Sequence, residues 1–367
     1  MDFRIGKNEL LRGLYLTHGI ADRKSTVPIL ANVLIRTVGK DKVLFAATDL
    51  KVAMMVTLPA KVTDEGGITV GARQIYEIVK GLAADEVHLQ RNEQNWLHLE
   101  SGRTEFKIVG MSDRDYPKLP SVEEAICSKV DSPLLGEMIG KTILSVSQDE
   151  TRPHLASVLL ESDGEKATMV STDGHRLSKI SKPMAGGPKI MPGVLLPRKG
   201  ISEIRRALEG RVGESAIGVE QGYFVLKSEE MTLSVKLGDG QFPPYDQVVP
   251  KDNDKKVVVA REYFLEALRR VSIIASDKTW GIRFSLEKGK LSIEADNPDL
   301  GNAKEMIDVD YKGASLQIGF NARYFIDLLA EMGGKDISIE LGGDLDPALV
   351  KPCDGAEYLG VIMPMRL

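Results

Sequence analysis

The feature that most limits what this chain can fold into is that it repeats itself. Helical spacing of apolar residues, at i, i+3, i+4 and i+7, appears at Ile75, Ile78, Val79 and Leu82 and again at Phe325, Leu328, Leu329 and Met332. Between them Ile201, Ile204 and Leu208 keep the same frame, so Ile75, Ile201 and Phe325 stand 126 and then 124 residues apart. Strand-like alternation supplies a second landmark. Val43, Phe45 and Ala47 precede Thr48-Asp49, Ala167, Met169 and Ser171 precede Thr172-Asp173, and Leu291, Ile293 and Ala295 precede Asp296, each step 124 residues. A further helix opens each unit: 7–18 around Leu10 and Leu14, 132–146 around Leu135, Met138 and Ile139, and 261–275 around Phe264, Leu268 and Val271. Each unit closes on a proline-bearing segment, Tyr116-Pro117, Phe242-Pro243 and Met363-Pro364.

The repeat predicts three α+β domains of one design, at 1–122, 129–250 and 256–367. The joins at 120–129 and 250–256 are charged and weakly apolar, as linkers are.

Composition then removes whole classes of function. With 48 Lys+Arg against 53 Asp+Glu the net charge is −5, so the molecule as a whole repels phosphate polyanions unless its cations are gathered on one surface. Cys127 and Cys353 stand far apart with no paired-cysteine spacing, which supports neither a disulfide framework nor zinc and fits a reducing compartment. The start, Met1 to Lys7, lacks the apolar core of a signal peptide, and no apolar run approaches the roughly 18 residues of a membrane span, so a cytoplasmic location is expected. Gly136 to Thr142 imitates a phosphate-binding loop but places three residues between its glycines where four are needed, on what reads as a helix face. The histidines at 18, 88, 98, 154 and 175 are scattered, and no nucleophile elbow or metalloprotease motif occurs. Neither enzyme chemistry nor a metal or cofactor is expected, which leaves shape as the carrier of function.

Basic residues recur at matching positions. Arg73, Arg198-Lys199 and Arg323 open the second helices, with Lys80, Arg205 and Arg206 following, and the first helices hold Lys7, Arg12, Lys141, Arg269 and Arg270. They line one positive surface or are ordinary solvated helix faces; charge alone leaves both readings open.

Five segments together resemble the bacterial DNA polymerase III beta subunit family, the sliding clamps, over the whole chain. They are Val27-Pro28-Ile29-Leu30, Ser171 to Leu177 (STDGHRL), Leu196 to Gly200 (LPRKG), Gly240 to Tyr245 (GQFPPY) and Val361 to Leu367 (VIMPMRL). The resemblance implies three clamp-fold domains per chain and two chains closing head to tail into a ring, helices lining the pore and antiparallel sheets outside. Duplex DNA would thread the hole through salt-dependent, sequence-independent phosphate contacts, by Arg23, Lys24, Arg73, Arg198, Lys199 and Arg205. Such a chain is a processivity subunit without catalytic activity, and tethers the replicative polymerase, the clamp loader and repair proteins by short peptides. Their groove, by the family's motifs, would be built from Leu155, Thr172, Gly174, His175, Arg176, Leu177, Pro243, Gln247, Val248, Asn321, Tyr324, Met363, Pro364, Met365, Arg366 and Leu367. Adaptable methionines suit a pocket that accepts several sequences. Gln247, Trp280 and His154 depart from the family's usual residues. The dimer contact would join Phe106 and Ile108 to Ile273 and Ile274. The competing reading is a repeat-built scaffold that binds proteins without encircling DNA.

Overall fold

A computed structural model describes all residues except 23, 24, 123, 124, 277 and 367. The first repeat runs β1 (Asp2–Gly6), α1 (Lys7–His18), β2 (Asn32–Val38), β3 (Lys42–Thr48), β4 (Val52–Pro59), β5 (Lys61–Asp64), β6 (Gly67–Gly71), α2 (Ala72–Gly81), β7 (Glu86–Arg91), β8 (Trp96–Ser101) and β9 (Thr104–Met111). The second runs β10 (Ser128–Asp131), α3 (Ser132–Ile143), β11 (Ser157–Ser162), β12 (Lys166–Thr172), β13 (Arg176–Pro183), β14 (Ile190–Pro197), α4 (Arg198–Leu208), β15 (Glu214–Glu220), β16 (Tyr223–Lys227) and β17 (Met231–Lys236). The third follows with β18 (Lys255–Ala260), α5 (Arg261–Ser272), β19 (Gly281–Glu287), β20 (Lys290–Asn297), β21 (Gly301–Asp308), β22 (Leu316–Asn321), α6 (Ala322–Glu331), β23 (Asp336–Leu341), β24 (Ala348–Pro352) and β25 (Tyr358–Ile362). Apart from the added β5 the order is identical three times.

Two of the opening helices stop three residues short of the range their periodicity predicts. Beyond α3 and α5 the chain tightens into i to i+3 bonds, from the Ser145 and Val146 amides to Thr142 and Ile143 and from the Ile273, Ile274 and Ala275 amides to Arg270, Val271 and Ser272. Apolar spacing continues through such a turn although the α-helix has ended. The phosphate-loop mimic lies inside α3.

The chain divides into two compact units, and the second repeat is shared between them. Unit 1 holds Met1–Pro133 with Lys199–Leu237, and unit 2 holds Leu134–Arg198 with Gly238–Leu367. The cause is a β-ladder crossing each join between repeats. In unit 1, β17 pairs antiparallel with β4, Met231 opposite Val56 through Val235 opposite Val52, inside one 13-stranded sheet. In unit 2, β13 pairs with β25, Arg176 opposite Ile362 through Ile180 opposite Tyr358, inside an 8-stranded sheet. Backbone bonding of this kind satisfies edge groups that would otherwise invite aggregation.

Core packing follows the sequence pattern. The buried rings of Phe264, Phe284, Phe320 and Phe325 lie 5.2–6.3 Å apart in mostly tilted or edge-on pairs, fastening α5 and α6 to β19 and β22. Each such ring removed from water contributes about 1.5–3 kcal/mol.

Candidate functional site

Unit 2 gathers most of the residues that the family motifs single out, around the amino end of β13. The sequence Thr172-Asp173-Gly174-His175-Arg176 is a hairpin turn. Asp173 Oδ1 accepts the His175 and Arg176 amides at 2.9 and 3.0 Å, and Thr172 Oγ1 donates to the Arg176 carbonyl at 2.7 Å. Gly174 has φ +92°, which side-chain-bearing residues rarely adopt. The turn aims Arg176 at α6. Its guanidinium lies 4.6 Å from the Tyr324 ring centre, donates to Asp327 at 2.8 Å, and reaches back to Asp173 at 3.1 Å. Tyr324 and Asp327 share a helix face at i and i+3. Burial, and then the Asp173 carboxylate, push the Tyr324 phenol up from its ordinary value. Asn321 caps α6, its side chain accepting the Arg323 amide at 2.9 Å.

The carboxyl-terminal tail crosses this cluster. The Met363 amide donates to the His175 carbonyl and the Met365 amide to the Gly319 carbonyl, each at 2.9 Å. Pro364, between them, has no amide to satisfy. Met363, Pro364 and Met365 are half-buried and Arg366 is exposed. Beneath lies an apolar cluster of Leu159, Val170, Leu177, Leu195, Phe242, Leu349 and Val361, with Tyr245 and Leu359 packed on it. Tyr245 donates to Glu161 at 3.0 Å, and burial with that carboxylate raises its pKa. Lys179 sits 4.7 Å over its ring.

The expected residues divide as follows. Thr172, Gly174, His175, Arg176, Asn321, Tyr324, Met363, Pro364 and Met365 belong to the assembly just described. Leu155, buried, precedes β11 and so lies at the Thr172 end of the ladder between β11 and β12. Leu177 is only 3% exposed, a core residue more than a wall. Pro243 adjoins Phe242, while Gln247 and Val248 stand exposed on the turn after Tyr245. Leu367 lies outside the described residues. Sequence reasoning missed Asp173, Asp327 and Tyr245.

The DNA-contact set fares differently. Arg23 and Lys24 lie outside the described residues. Arg73 is exposed at the start of α2, and Arg198 donates to the Val146 carbonyl at 3.2 Å. Arg205 is exposed on α4. Lys199 is engaged inside unit 1, bonded to Asp49 at 2.5 Å and to the Ile20 carbonyl at 3.1 Å, so its charge is largely spent holding α4 to the end of α1. Ile108 is 2% exposed and Ile273 74% exposed, with Phe106 half-buried. No cluster of three metal-ligating side chains occurs among the described residues.

Residues 1–120, 129–244 and 246–366 match the N-terminal, central and C-terminal domain families of the DNA polymerase III beta subunit. The chain belongs to the DNA polymerase III beta subunit family. Curated relatives are beta sliding clamps, among them those of Pseudomonas aeruginosa, 34% identical, and Caulobacter vibrioides, 32% identical, each match covering all of both chains. The Pseudomonas aeruginosa clamp structure superposes with TM-score 0.91 over the full length of both chains. A Bartonella birtlesii clamp bound to griselimycin, 31% identical, gives 0.93, again over both full chains. The three-domain clamp architecture of helices and antiparallel sheets is therefore shared, and this chain is a sliding clamp of that family.

Proposed function

We propose that two copies of this chain close head to tail into a ring around duplex DNA, and that the groove beside the tail holds short peptides of the replicative polymerase, the clamp loader and repair proteins. The ring would confer processivity on the polymerase without chemistry of its own and would work in the cytoplasm; among the described residues no helix is long and apolar enough to cross a membrane. Domains 1–122, 129–250 and 256–367 are the units of the ring in this reading.

The observation carrying it is an unfilled edge. Each join between repeats pairs the first residue of one strand with the fifth of another: Val52 of β4 with Val235 of β17, and Arg176 of β13 with Ile362 of β25. The corresponding strands left over are β21 and β9. Among the described residues β21 pairs only with β20, and β9 meets a second neighbour only at Gly110 and Met111. The same rule sets Gly301 opposite Ile108 of a second copy, and hence Lys304 opposite Glu105 and Ala303 opposite Phe106. Two such contacts close a C2 ring. Phe106 and Ile108 alternate with Glu105 and Lys107, so they share the helix side of the sheet; Ile108 is already buried within the single chain, which leaves the half-buried Phe106 as the residue that the exposed Ile273 can cover with Ile274. Arg73, Arg198, Arg205, Arg23 and Lys24 are the proposed phosphate contacts, with Lys199 contributing least. The griselimycin bound to the Bartonella birtlesii clamp supports a ligand groove on this fold.

Solution mass tests the ring. The wild type is expected to weigh two chains, and Ile273→Asp with Ile274→Asp is expected to give folded monomers; an unchanged dimer mass in the double variant refutes the interface.

A further inference from the structure

Behind the tail, on the side away from His175, unit 2 has an open cleft of about 700 Å³ whose lining includes Arg283, Glu294, Asp296, Lys304, Met365 and Arg366. We propose that this cleft reads an acidic residue flanking the clamp-binding peptide, so that the peptide's apolar part fills the groove and its flank crosses the tail to Arg283 and Arg366. The proposal rests on the groove reading above. Three observations carry it.

The first is continuity. Met365 is bonded through its amide to Gly319, beside the α6 end of the groove, and its residue also lines the cleft, so a chain leaving the groove over the tail enters the cleft directly. The second is charge. Arg283 and Arg366 are exposed and form no ion pair among the described residues, whereas Glu294 is already bonded to Lys304 at 2.7 Å. Asp296 is the one acid of the lining left to oppose a carboxylate. The register inferred for the ring sets Lys107 of a second copy opposite Asn302 and Glu105 opposite Lys304, an ion pair already formed at 3.9 Å within that copy, so the second copy leaves the net charge on this side of the sheet unchanged. The third is geometry. Arg283 stands opposite Glu294 on β19 and β20, and Glu294 opposite Lys304 on β21. These side chains therefore project from one sheet face, which backbone pairing fixes, and Arg283 leaves the sheet on the side of the cleft. The Arg323 guanidinium lies 6.0 Å from the Trp280 ring centre and so is turned to that ring.

Fluorescence anisotropy with synthetic peptides tests this on the dimer. A short peptide with a Gln anchor and a Leu/Phe-rich end is compared with versions carrying two aspartates added at one end or the other. One acidic version is expected to bind the wild type about three- to tenfold more tightly at low salt, the gain of exposed ion pairs, and to lose that gain near 0.5 M salt. Arg283→Gln should abolish the gain and leave the unflanked peptide bound as before, while Met363→Ala weakens both peptides. No gain at either end, or an equal gain in wild type and Arg283→Gln, overturns the cleft assignment and leaves the groove standing. Failure of the unflanked peptide to bind overturns the groove reading, and the cleft assignment with it.

Discussion

Reversing Lys304 to glutamate tests the ring contact where its register is most specific. On β21 the Lys304 ammonium is bonded to Glu294 at 2.7 Å and lies more than half exposed, and in the inferred register it faces Glu105 of a second copy. Glu105 is itself opposite Glu100 on β8, so the two carboxylates on that side share the lysine as their nearest new cation. A cross-strand pair of opposite charge contributes about 0.2–1 kcal/mol, and like charges cost a similar amount. Reversal therefore shifts each contact by about 0.4–2 kcal/mol, and a ring of two contacts by about 0.8–4 kcal/mol, which raises the dimer Kd roughly fourfold to several hundredfold. Sedimentation equilibrium at low ionic strength reads this directly. Glu105→Lys alone should weaken the dimer comparably, and the two reversals combined should recover most of the loss. Lys312→Glu, at an exposed lysine beyond the end of β21, should leave the dimer unaltered. A double reversal no tighter than the weaker single variant would refute the register.

Two further outcomes follow from packing and protonation. Gly360 on β25 lies so close under α6 that an added Cβ would overlap the Leu328 side chain; Gly360→Ala should cost about 1–3 kcal/mol in urea unfolding, and Leu328→Val should relieve much of it if the overlap is the cause. His18 stacks at 4.1 Å on Tyr76, and burial holds its imidazole below the ordinary value of 6.5. The unfolded chain then binds the proton first, so His18 contributes stability above about pH 6.5 that is lost as pH falls toward the lower folded value. His18→Phe keeps the stack and lacks the proton, so the Tm advantage of wild type over variant should shrink between about pH 7.5 and pH 5.5. A constant difference would contradict the assignment.

The order of elements was legible because a period of about 124 residues imposes one answer three times, and Thr172-Asp173-Gly174 announces its own turn by residue type. Two things were less legible for physical reasons. Lys199 and Arg73 look alike in sequence, both cations near a helix start, yet Lys199 finds Asp49 150 positions away while Arg73 stays in water. Nothing local distinguishes them. Leu177 sits in a motif associated with a ligand groove but faces the core shared by β13 and β25, because alternation along the strand fixes its side and the pairing with Val361 fixes its depth. Asp327 could have been found, since its spacing from Tyr324 puts it on the same helix face; its bond to Arg176 could not, because that contact spans 151 residues.

The proposed position of the groove follows from how the backbone continues past the second join. At the first join the residue after the five-residue ladder, Lys236, donates its amide to the Lys51 carbonyl at 2.7 Å, and at the second Met363 donates to His175 at 2.9 Å, the same bond repeated. Past Lys236 the backbone continues, Leu237 donating to the Gly222 carbonyl at 2.9 Å, and is committed to the fold. Past Met363 the backbone leaves the ladder, the Met365 amide donating to the Gly319 carbonyl at 2.9 Å, and Met363, Pro364 and Met365 stay half-buried beside the turn at His175, where the proposed groove lies. Carried to the contact between copies, the rule pairs the Val109 amide with the Leu300 carbonyl. Both side chains are 63% exposed in the single chain, and covering an apolar pair on each of two contacts is a gain available only to the closed ring.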